Sequence, residues 1–230
     1  MNITEIKKEY EVKEYHLSIF IEIRSGKEAT VYYTRDEKRE YALKVYKDPE
    51  RRAFQKDQPY LDGKFYAAPS VRRAVIKGNK ASKKMLPPLW IKREFDILRK
   101  LQSLDVFTPI VYDWTPGSIL MEFIGEDATP APRLIDIQIP EDTVEETFDL
   151  VVQSIQAFYK IGIVHSDLSP YNILWHQQKP YIIDFPQAID IRQNPNVKEL
   201  LKRDVDNVIK YFGKYMDIQK DSIYKLFDLI

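Results

Sequence analysis

The chain of 230 residues contains no cysteine, which excludes disulfide bonds and thiolate chemistry and fits a reducing compartment such as the cytoplasm. It also lacks an apolar core of signal-peptide length at its start and any run approaching about eighteen apolar residues, so we expect neither secretion nor a membrane span. Its composition is that of a folded protein, because 44% of the residues are hydrophobic and tyrosine and phenylalanine number 15 and 11. At this length we expect one domain with room for two lobes.

The net charge is zero, but the charges are unevenly distributed along the chain. Residues 47–86 hold eleven Lys and Arg against four Asp and Glu, so this segment carries +7 and the rest of the chain −7. Aromatic residues lie between the basic pairs, a composition that suits a phosphate backbone with unpaired bases nearby. The alternative is a solvated loop whose charges only aid solubility.

Two short segments carry the strongest chemical signal, His165-Ser-Asp-Leu-Ser-Pro-Tyr-Asn172 and Ile182-Ile-Asp-Phe185. They place Asp167, Asn172 and Asp184 at successive offsets of five and twelve residues, between apolar runs that predict strand ends. Phosphoryl transfer from a nucleotide needs a carboxylate that accepts the proton of the attacking hydroxyl, and an amide oxygen and second carboxylate that hold magnesium. We therefore predict these three roles in that order, with His165 bracing the loop. The alternative is that Asp167 and Asn172 only bind turn backbone.

The N-terminal part offers the remaining components of such a site. Lys44 lies in the middle of an apolar strand pattern, where an ammonium group needs a partner. Residues 89–102 follow two prolines and predict a helix that starts there, with Glu94 on its inward face. We expect Lys44 and Glu94 to form an ion pair that positions nucleotide phosphates, the alternative being a partly exposed glutamate. A turn between two strand-like runs, Ser25-Gly26-Lys27-Glu28, allows backbone amides to approach phosphate oxygens.

The other elements can be predicted more coarsely. Residues 110–114 and 118–123 are expected to form paired strands, and residues 125–140, with three prolines, the linker to a second lobe. A helix is expected from Asp142, with an apolar face of plain core, and another helix over residues 199–215.

The chain resembles the RIO family of atypical serine/threonine protein kinases from about residue 17 to 217, and five segments carry the resemblance. They are Ser25-Gly-Lys-Glu-Ala29, Ala42-Leu-Lys-Val-Tyr46, Leu120-Met-Glu-Phe-Ile-Gly125, His165 to Asn172 and Ile183-Asp-Phe-Pro-Gln187. The first and fourth segments are similar to the first RIO subfamily and the last is closer to the second. Because about sixteen residues precede the first predicted strand, we expect a compact relative of the first subfamily without a winged helix.

The resemblance implies a bilobal, α+β, protein-kinase-like fold with an N-terminal lobe over residues 17–124 and a C-terminal lobe over residues 125–230. The first lobe would hold an antiparallel sheet plus one helix, and the second would be reduced and mainly helical. ATP and Mg2+ are the implied cofactors. The residues expected at the nucleotide are Ser25, Gly26, Lys27, Glu28, Lys44 and Glu94, with the backbone of Glu122 and Ile124 at the adenine. The resemblance also implies transient phosphorylation of Asp184, an ATPase switch, and a basic loop, residues 48–86, near ATP and a ribosomal precursor.

The chain departs from ordinary protein kinases in its phosphate loop, which keeps one glycine, Gly26, and in having Pro186 after Asp184-Phe. With 46 residues after Asp184, we expect neither an activation segment nor peptide-docking helices. Three hypotheses therefore stand: a RIO-type kinase or ATPase, a small-molecule phosphotransferase similar to aminoglycoside and choline kinases, and a non-catalytic module in which nucleotide orders the basic loop around RNA.

Overall fold

The computed structural model describes residues 3–47, 80–192 and 194–229, without the side chains of residues 80–87. The chain forms two compact units. Unit 1 comprises Met1–Arg99 and Ile110–Pro130, and unit 2 comprises Lys100–Pro109 and Ala131–Ile230. This division differs from the predicted boundary after residue 124, because the chain enters unit 2 briefly at residues 100–109 before it returns to complete the sheet of unit 1. Most of the predicted basic loop lies outside the described residues.

Unit 1 is built on an antiparallel sheet of five strands in the order β1-β2-β3-β5-β4. The strands are β1 (Ser18–Ser25), β2 (Ala29–Arg35), β3 (Glu40–Tyr46), β4 (Val111–Thr115) and β5 (Ser118–Glu122). Strand β3 lies in the middle of the sheet and is buried along nearly its whole length, and the predicted strand around Lys44 is confirmed. The predicted pair of strands after residue 110 is confirmed, and its turn includes Gly117.

Two helices accompany this sheet in the described part of unit 1, whereas the sequence predicted one. Helix α1 (Ile3–Glu11) precedes the first strand and places Ile6 and Tyr10, both fully buried, in a cluster with β3 residues. The Tyr10 hydroxyl accepts a hydrogen bond of 3.2 Å from the Ser118 hydroxyl of β5. The helix was missed because it offers only two core residues, too few to mark an amphipathic period.

Helix α2 (Lys80–Leu101) carries Glu94 and begins earlier than predicted. Pro87 and Pro88 lie inside the helix rather than at its first turn. Proline lacks the backbone N–H of a helical hydrogen bond, but its fixed φ is compatible with helical geometry, which is how the helix extends N-terminal to the pair. The inward face is as predicted, with Ile97 and Leu101 buried.

A small hairpin interrupts the stretch predicted as a linker, formed by β6 (Gly125–Glu126) and β7 (Thr129–Pro130). Gly125 is required here, because a Cβ on it would lie 2.2 Å from the Thr129 carbonyl oxygen. Only a residue without a side chain allows the backbone of Thr129 to approach this closely.

Unit 2 combines three described α-helices with two short antiparallel strand pairs. The helices are α3 (Val144–Lys160), α4 (Val197–Phe212) and α5 (Lys220–Lys225), and the strands are β8 (Ile163–Val164), β9 (Ile173–His176), β10 (Lys179–Ile182) and β11 (Ile189–Asp190). The predicted apolar face of α3 is confirmed, since Val144, Phe148, Val151, Ile155 and Phe158 are all buried. In the part of the chain that is described, no helix has the length and apolar character needed to cross a membrane.

Candidate functional site

The strand register of unit 2 brings two of the predicted site residues together. Strands β9 and β10 pair so that Ile173 faces Ile182, and the Ile183 N–H donates to the Asn172 carbonyl oxygen at 2.9 Å. Asn172 directly precedes β9, and Asp184 lies two positions after the end of β10. Both residues are therefore at the open end of one hairpin. The four paired positions of β9 and β10 thus bring together two residues that are twelve positions apart in the sequence.

Asp167 lies in the loop that precedes β9, and a hydrogen bond connects it to Asn172. The Asn172 side-chain nitrogen donates to the Asp167 carbonyl oxygen at 2.9 Å, which leaves the amide oxygen of Asn172 directed away from that bond. The Asp167 side chain is exposed, as is that of Asp184. Asp184 itself and Ser166, the residue before Asp167, have backbone φ angles of 69° and 59°, in the left-handed region. Such conformations are held by the surrounding structure and cluster at functional positions.

A buried carboxylate, Asp204 of α4, holds the loop that carries Asp167. Its two oxygens accept the backbone N–H groups of Ser166 and Leu168, at 2.6 and 2.9 Å. The side chain is 1% exposed, and burial raises its pKa to about 6 although the two N–H donors, His165 and Arg203 favour the charged form. Asp204 thus holds the loop on both sides of Asp167.

His165 braces the loop, as predicted, through one ring nitrogen. Its Nε2 lies 3.0 Å from the Ile183 carbonyl oxygen, so this nitrogen carries the hydrogen and connects the two predicted segments. The ring packs on Phe185, which is fully buried beside the aspartate that precedes it. The Nδ1 atom is buried and makes no hydrogen bond within the described residues.

The oxygens of Asn172 and Asp184 fit a magnesium ion. Magnesium prefers oxygen ligands, keeps several waters, and is commonly bound by one or two carboxylates plus substrate phosphates rather than by a complete protein cage. The described residues hold no group of three or more His, Cys, Asp or Glu that could hold a metal ion. The donor set therefore matches the predicted role, which stays a prediction.

The ion pair predicted in unit 1 is present. The Lys44 ammonium of β3 lies 2.7 Å from Glu94 Oε1 of α2, and both residues are buried, with Glu94 2% exposed. The second carboxylate oxygen of Glu94 accepts a hydrogen bond from the Tyr46 hydroxyl. Sequence reasoning missed Tyr46, although its position two residues after Lys44 places both side chains on one face of the strand.

The turn between β1 and β2 contains Gly26, Lys27 and Glu28, all exposed. Lys47 holds this turn: its ammonium donates to the Ser25 hydroxyl at 3.0 Å and to the Gly26 carbonyl oxygen at 2.6 Å. Its backbone N–H donates to the Glu28 carbonyl oxygen at 2.9 Å. The four predicted phosphate-contacting residues are thus gathered at one hairpin tip, and Lys47 is a brace that the sequence did not reveal.

The segment predicted to contact adenine lies at the end of β5. Tyr41↔Glu122 is the last register pair between β3 and β5, so the backbone after Glu122 leaves this ladder. The Glu122 N–H donates to the Ile110 carbonyl oxygen at 2.7 Å. Ile124 is buried just before Gly125.

Comparisons with known proteins point to one family. The family model described as RIO domain matches residues 30–223. The chain is 33% identical over 215 residues to the RIO-type serine/threonine-protein kinase Rio1 of Methanocaldococcus jannaschii, covering 91% of this chain and 69% of that protein. It is 36% identical over 128 residues to the protein of the same name from Thermoplasma acidophilum, covering 56% of this chain and 66% of the relative.

A eukaryotic relative and a solved structure extend the comparison. The human serine/threonine-protein kinase RIO1 is 30% identical over 210 residues, 90% of this chain but 35% of the human protein. The chain thus spans about two thirds of its archaeal relatives and about one third of the human one. The crystal structure of a Rio2 kinase-ADP/Mg2+-phosphoaspartate complex from Chaetomium thermophilum superimposes with a TM-score of 0.67 at 19% identity, covering 97% of this chain and 66% of that one. The likeness establishes a kinase-like fold.

Proposed function

The chain belongs to the RIO domain family, and from this membership we propose that it transfers the γ-phosphoryl group of ATP, with magnesium, to serine or threonine hydroxyls or to its own Asp184. The observation that carries the proposal is the grouping of Asp167, Asn172 and Asp184 on one hairpin and its preceding loop, an arrangement that supplies a proton acceptor beside two oxygen donors. The relatives named as serine/threonine-protein kinases support the reaction class.

In this mechanism Asp167 accepts the proton of the attacking hydroxyl. The side chain is exposed, so an acceptor can reach it, and its backbone is held on both sides by the Asp204 carboxylate. The proton moves to a carboxylate oxygen of Asp167 as the hydroxyl oxygen bonds to the γ-phosphorus, while the bond from that phosphorus to the β–γ bridging oxygen breaks and ADP leaves. Positioning of the loop therefore sets the rate as much as the basicity of the acid.

The nucleotide is held by residues of unit 1. Lys44, fixed by Glu94, would contact the α- and β-phosphates, and the turn from Ser25 to Glu28 would contribute backbone N–H groups. The Glu122 carbonyl oxygen and the Ile124 N–H would bind adenine. Magnesium, when bound through Asn172 and Asp184, would neutralise charge on the transferred phosphates.

Asp184 is the proposed site of self-phosphorylation. A carboxylate oxygen of Asp184 would bond to the γ-phosphorus while the bond to the β–γ bridging oxygen breaks, giving ADP and an acyl phosphate; water would then release inorganic phosphate. The Rio2 kinase of Chaetomium thermophilum forms a phosphoaspartate complex with ADP and magnesium, which makes the same chemistry a reasonable expectation for a family member. In this chain the exposure of Asp184 and its left-handed backbone support accessibility of the carboxylate.

The test is incubation of the purified protein with magnesium and γ-labelled ATP, without other macromolecules, followed by treatment of the labelled protein with hydroxylamine. Label that hydroxylamine removes, with slow phosphate release, would support the aspartyl-phosphate, whereas resistant label would indicate hydroxyl phosphorylation. Asp167→Ala should abolish turnover with nucleotide binding nearly intact, and Asp184→Ala should also weaken magnesium-dependent binding. Equal loss of binding in both variants would contradict the division of roles.

The proposed setting is the cytoplasm, in maturation of the small ribosomal subunit, with precursor RNA as partner of the basic loop, residues 48–86. The charge of +7 on residues 47–86 supports a phosphate-rich partner. RNA binding should weaken steeply with salt, which a filter-binding titration between about 50 and 200 mM salt would measure. Binding that is insensitive to salt would contradict this partner.

A further inference from the structure

Glu94 has both carboxylate oxygens occupied by residues of one strand. Oε1 accepts from the Lys44 ammonium at 2.7 Å and Oε2 accepts from the Tyr46 hydroxyl. All three residues are buried, at 8% exposure or less. The ion pair of Lys44 and Glu94 is therefore part of a cluster of three residues, and the third is Tyr46.

The strand geometry explains why Tyr46 can reach both partners. Lys44 and Tyr46 are two residues apart on β3, so their side chains leave the same face of the sheet. The Lys44 ammonium lies 5.5 Å from the centre of the Tyr46 ring, within the range of a cation–π contact. Tyr46 thus contacts the ammonium through its ring and the carboxylate through its hydroxyl.

A phenol in this place restricts how the glutamate can turn. A salt bridge through one oxygen leaves the carboxylate free to rotate and leaves its other oxygen in need of a donor, which is costly in a buried position. The Tyr46 hydroxyl supplies that donor from a side chain with only two rotatable bonds. The position of the Lys44 ammonium is consequently fixed through Glu94 by Tyr46.

We propose that Tyr46 is a positioning residue for nucleotide binding, which orients Glu94 and, through it, the Lys44 ammonium toward the phosphates of ATP. The inference rests on the proposed function of the ion pair and assigns the aromatic hydroxyl a role in it. Tyr46 acts through its two neighbours and does not itself contact the reacting atoms.

The same strand offers a matched control. Tyr41 of β3 is also buried, and its hydroxyl also donates to a carboxylate, Asp36 Oδ2, at 2.6 Å. Tyr41 belongs to the core cluster on the opposite face, because five residues separate it from Tyr46. Tyr41→Phe and Tyr46→Phe therefore remove the same kind of hydrogen bond from the same strand, and only the second touches the ion pair.

The experiment compares wild type, Tyr46→Phe and Tyr41→Phe in Mg·ATP affinity, kcat and KM for ATP, and Tm. Tyr46→Phe should raise Kd and KM for ATP by about tenfold, with a smaller fall in kcat, because a hydrogen bond to a charged group is lost. Tyr41→Phe should leave both constants within about twofold of wild type at a similar loss of Tm. In a Glu94→Gln background, Tyr46→Phe should add less than about twofold, since its effect passes through Glu94.

Equal affinities of Tyr46→Phe and Tyr41→Phe would overturn the role of Tyr46 while the proposed function stands. Absence of Mg·ATP binding by the wild-type protein would instead overturn the proposed function and this role with it. If Tyr46→Phe fails to fold, 3-fluorotyrosine incorporated at position 46 keeps the hydroxyl and the fold. Its fluorine resonance should then shift on addition of Mg·ATP, with no shift for 3-fluorotyrosine at position 41, and an unmoved resonance at position 46 would overturn the inference.

Discussion

Asp204 is a carboxylate that the fold removes from water. It accepts two backbone N–H groups of the loop that carries Asp167, and Arg203 beside it donates to the Ser166 carbonyl oxygen. One acid thus fixes the loop at two points on either side of the proposed proton acceptor. An asparagine has a single acceptor oxygen, and its amino group would face one of the two N–H donors.

Asp204→Asn should therefore lower kcat by about tenfold or more, with little change in KM for ATP, because one anchor of the loop is lost while the nucleotide contacts of unit 1 remain. Steady-state kinetics with varied ATP would measure both constants. The control is Asp206→Asn, two residues away, since Asp206 binds Lys202 and Tyr224 rather than the loop. A similar fall of kcat in both variants would contradict the positioning role.

The pKa of Asp204 also predicts a pH dependence of stability. Burial raises it to about 6 from an ordinary 3.8, so between these values the folded protein binds the proton and the unfolded chain does not. Ionisation of Asp204 therefore costs stability as the pH rises through this window. The free energy of unfolding of wild type relative to Asp204→Asn should grow by up to about 3 kcal/mol from pH 7 to pH 4. Urea unfolding at both pH values would measure the difference, and a constant difference would contradict the raised pKa.

At the scale of elements, two glycines occupy turns of the same unit for different reasons. Among the described residues, a Cβ on Gly26 would meet only the Ala29 carbonyl oxygen, at an ordinary contact distance of 3.5 Å, whereas one on Gly125 would lie 2.2 Å from the Thr129 carbonyl oxygen. The hairpin fold thus requires the second glycine and tolerates a side chain at the first. The remaining reason for a glycine at position 26 is the close approach of a ligand to its backbone.

Gly26→Ala should keep the free energy of unfolding within about 0.5 kcal/mol of wild type and weaken Mg·ATP binding by about tenfold, because the methyl group would occupy space expected for phosphate. Gly125→Ala should instead lower the free energy of unfolding by about 2 kcal/mol or more, because its Cβ would clash with the Thr129 carbonyl oxygen. Chemical unfolding and ATP titration of both variants would test the pair. Unchanged ATP affinity in Gly26→Ala would remove this turn from the proposed phosphate site.

The site segments could be predicted from sequence because the chemistry demands particular residue types at short spacing. Asn172 and Asp184 lie beside apolar runs that predict the ends of two strands. Lys44 and Glu94 were predicted on inward faces, where each charge requires a partner. The contacts that sequence reasoning missed are those set by tertiary packing: Tyr46 meets Glu94 across 48 residues, and Asp204 meets Ser166 across 38. No local pattern marks such pairs.

The element boundaries failed for a related reason. Helix α2 extends N-terminal to Pro87 and Pro88, although prolines ordinarily mark a helix start, and α1 has too few core residues to show a period. The short β6–β7 hairpin depends on the close approach at Gly125 and lies in a stretch whose prolines predicted a linker. In each case the packing of the unit overrides local propensity.

At the scale of the whole molecule, the proposed reaction draws on residues from both units. Lys44, Glu94 and the turn at Gly26 belong to unit 1, and Asp167, Asn172 and Asp184 belong to unit 2. A ligand that contacts native residues of a unit stabilises that unit against local opening by mass action, by about 2.7 kcal/mol at a concentration of 100 Kd. Stabilisation of unit 1 should therefore report the nucleotide contacts, and stabilisation of unit 2 the metal contacts.

Hydrogen exchange of backbone amides should accordingly show protection by Mg·ATP in both units, at β3 and the β1–β2 turn and again around residues 165–172 and 182–185. ATP with a chelator should protect unit 1 alone, since the acids of unit 2 would repel phosphates without the metal. Asp184→Ala with Mg·ATP should resemble the chelated wild type, because an oxygen ligand is gone while Lys44 and Glu94 are intact. Protection of unit 2 that is independent of both magnesium and Asp184 would show that its acids bind the nucleotide in another way, and the assignment of Asn172 and Asp184 as metal ligands would be wrong.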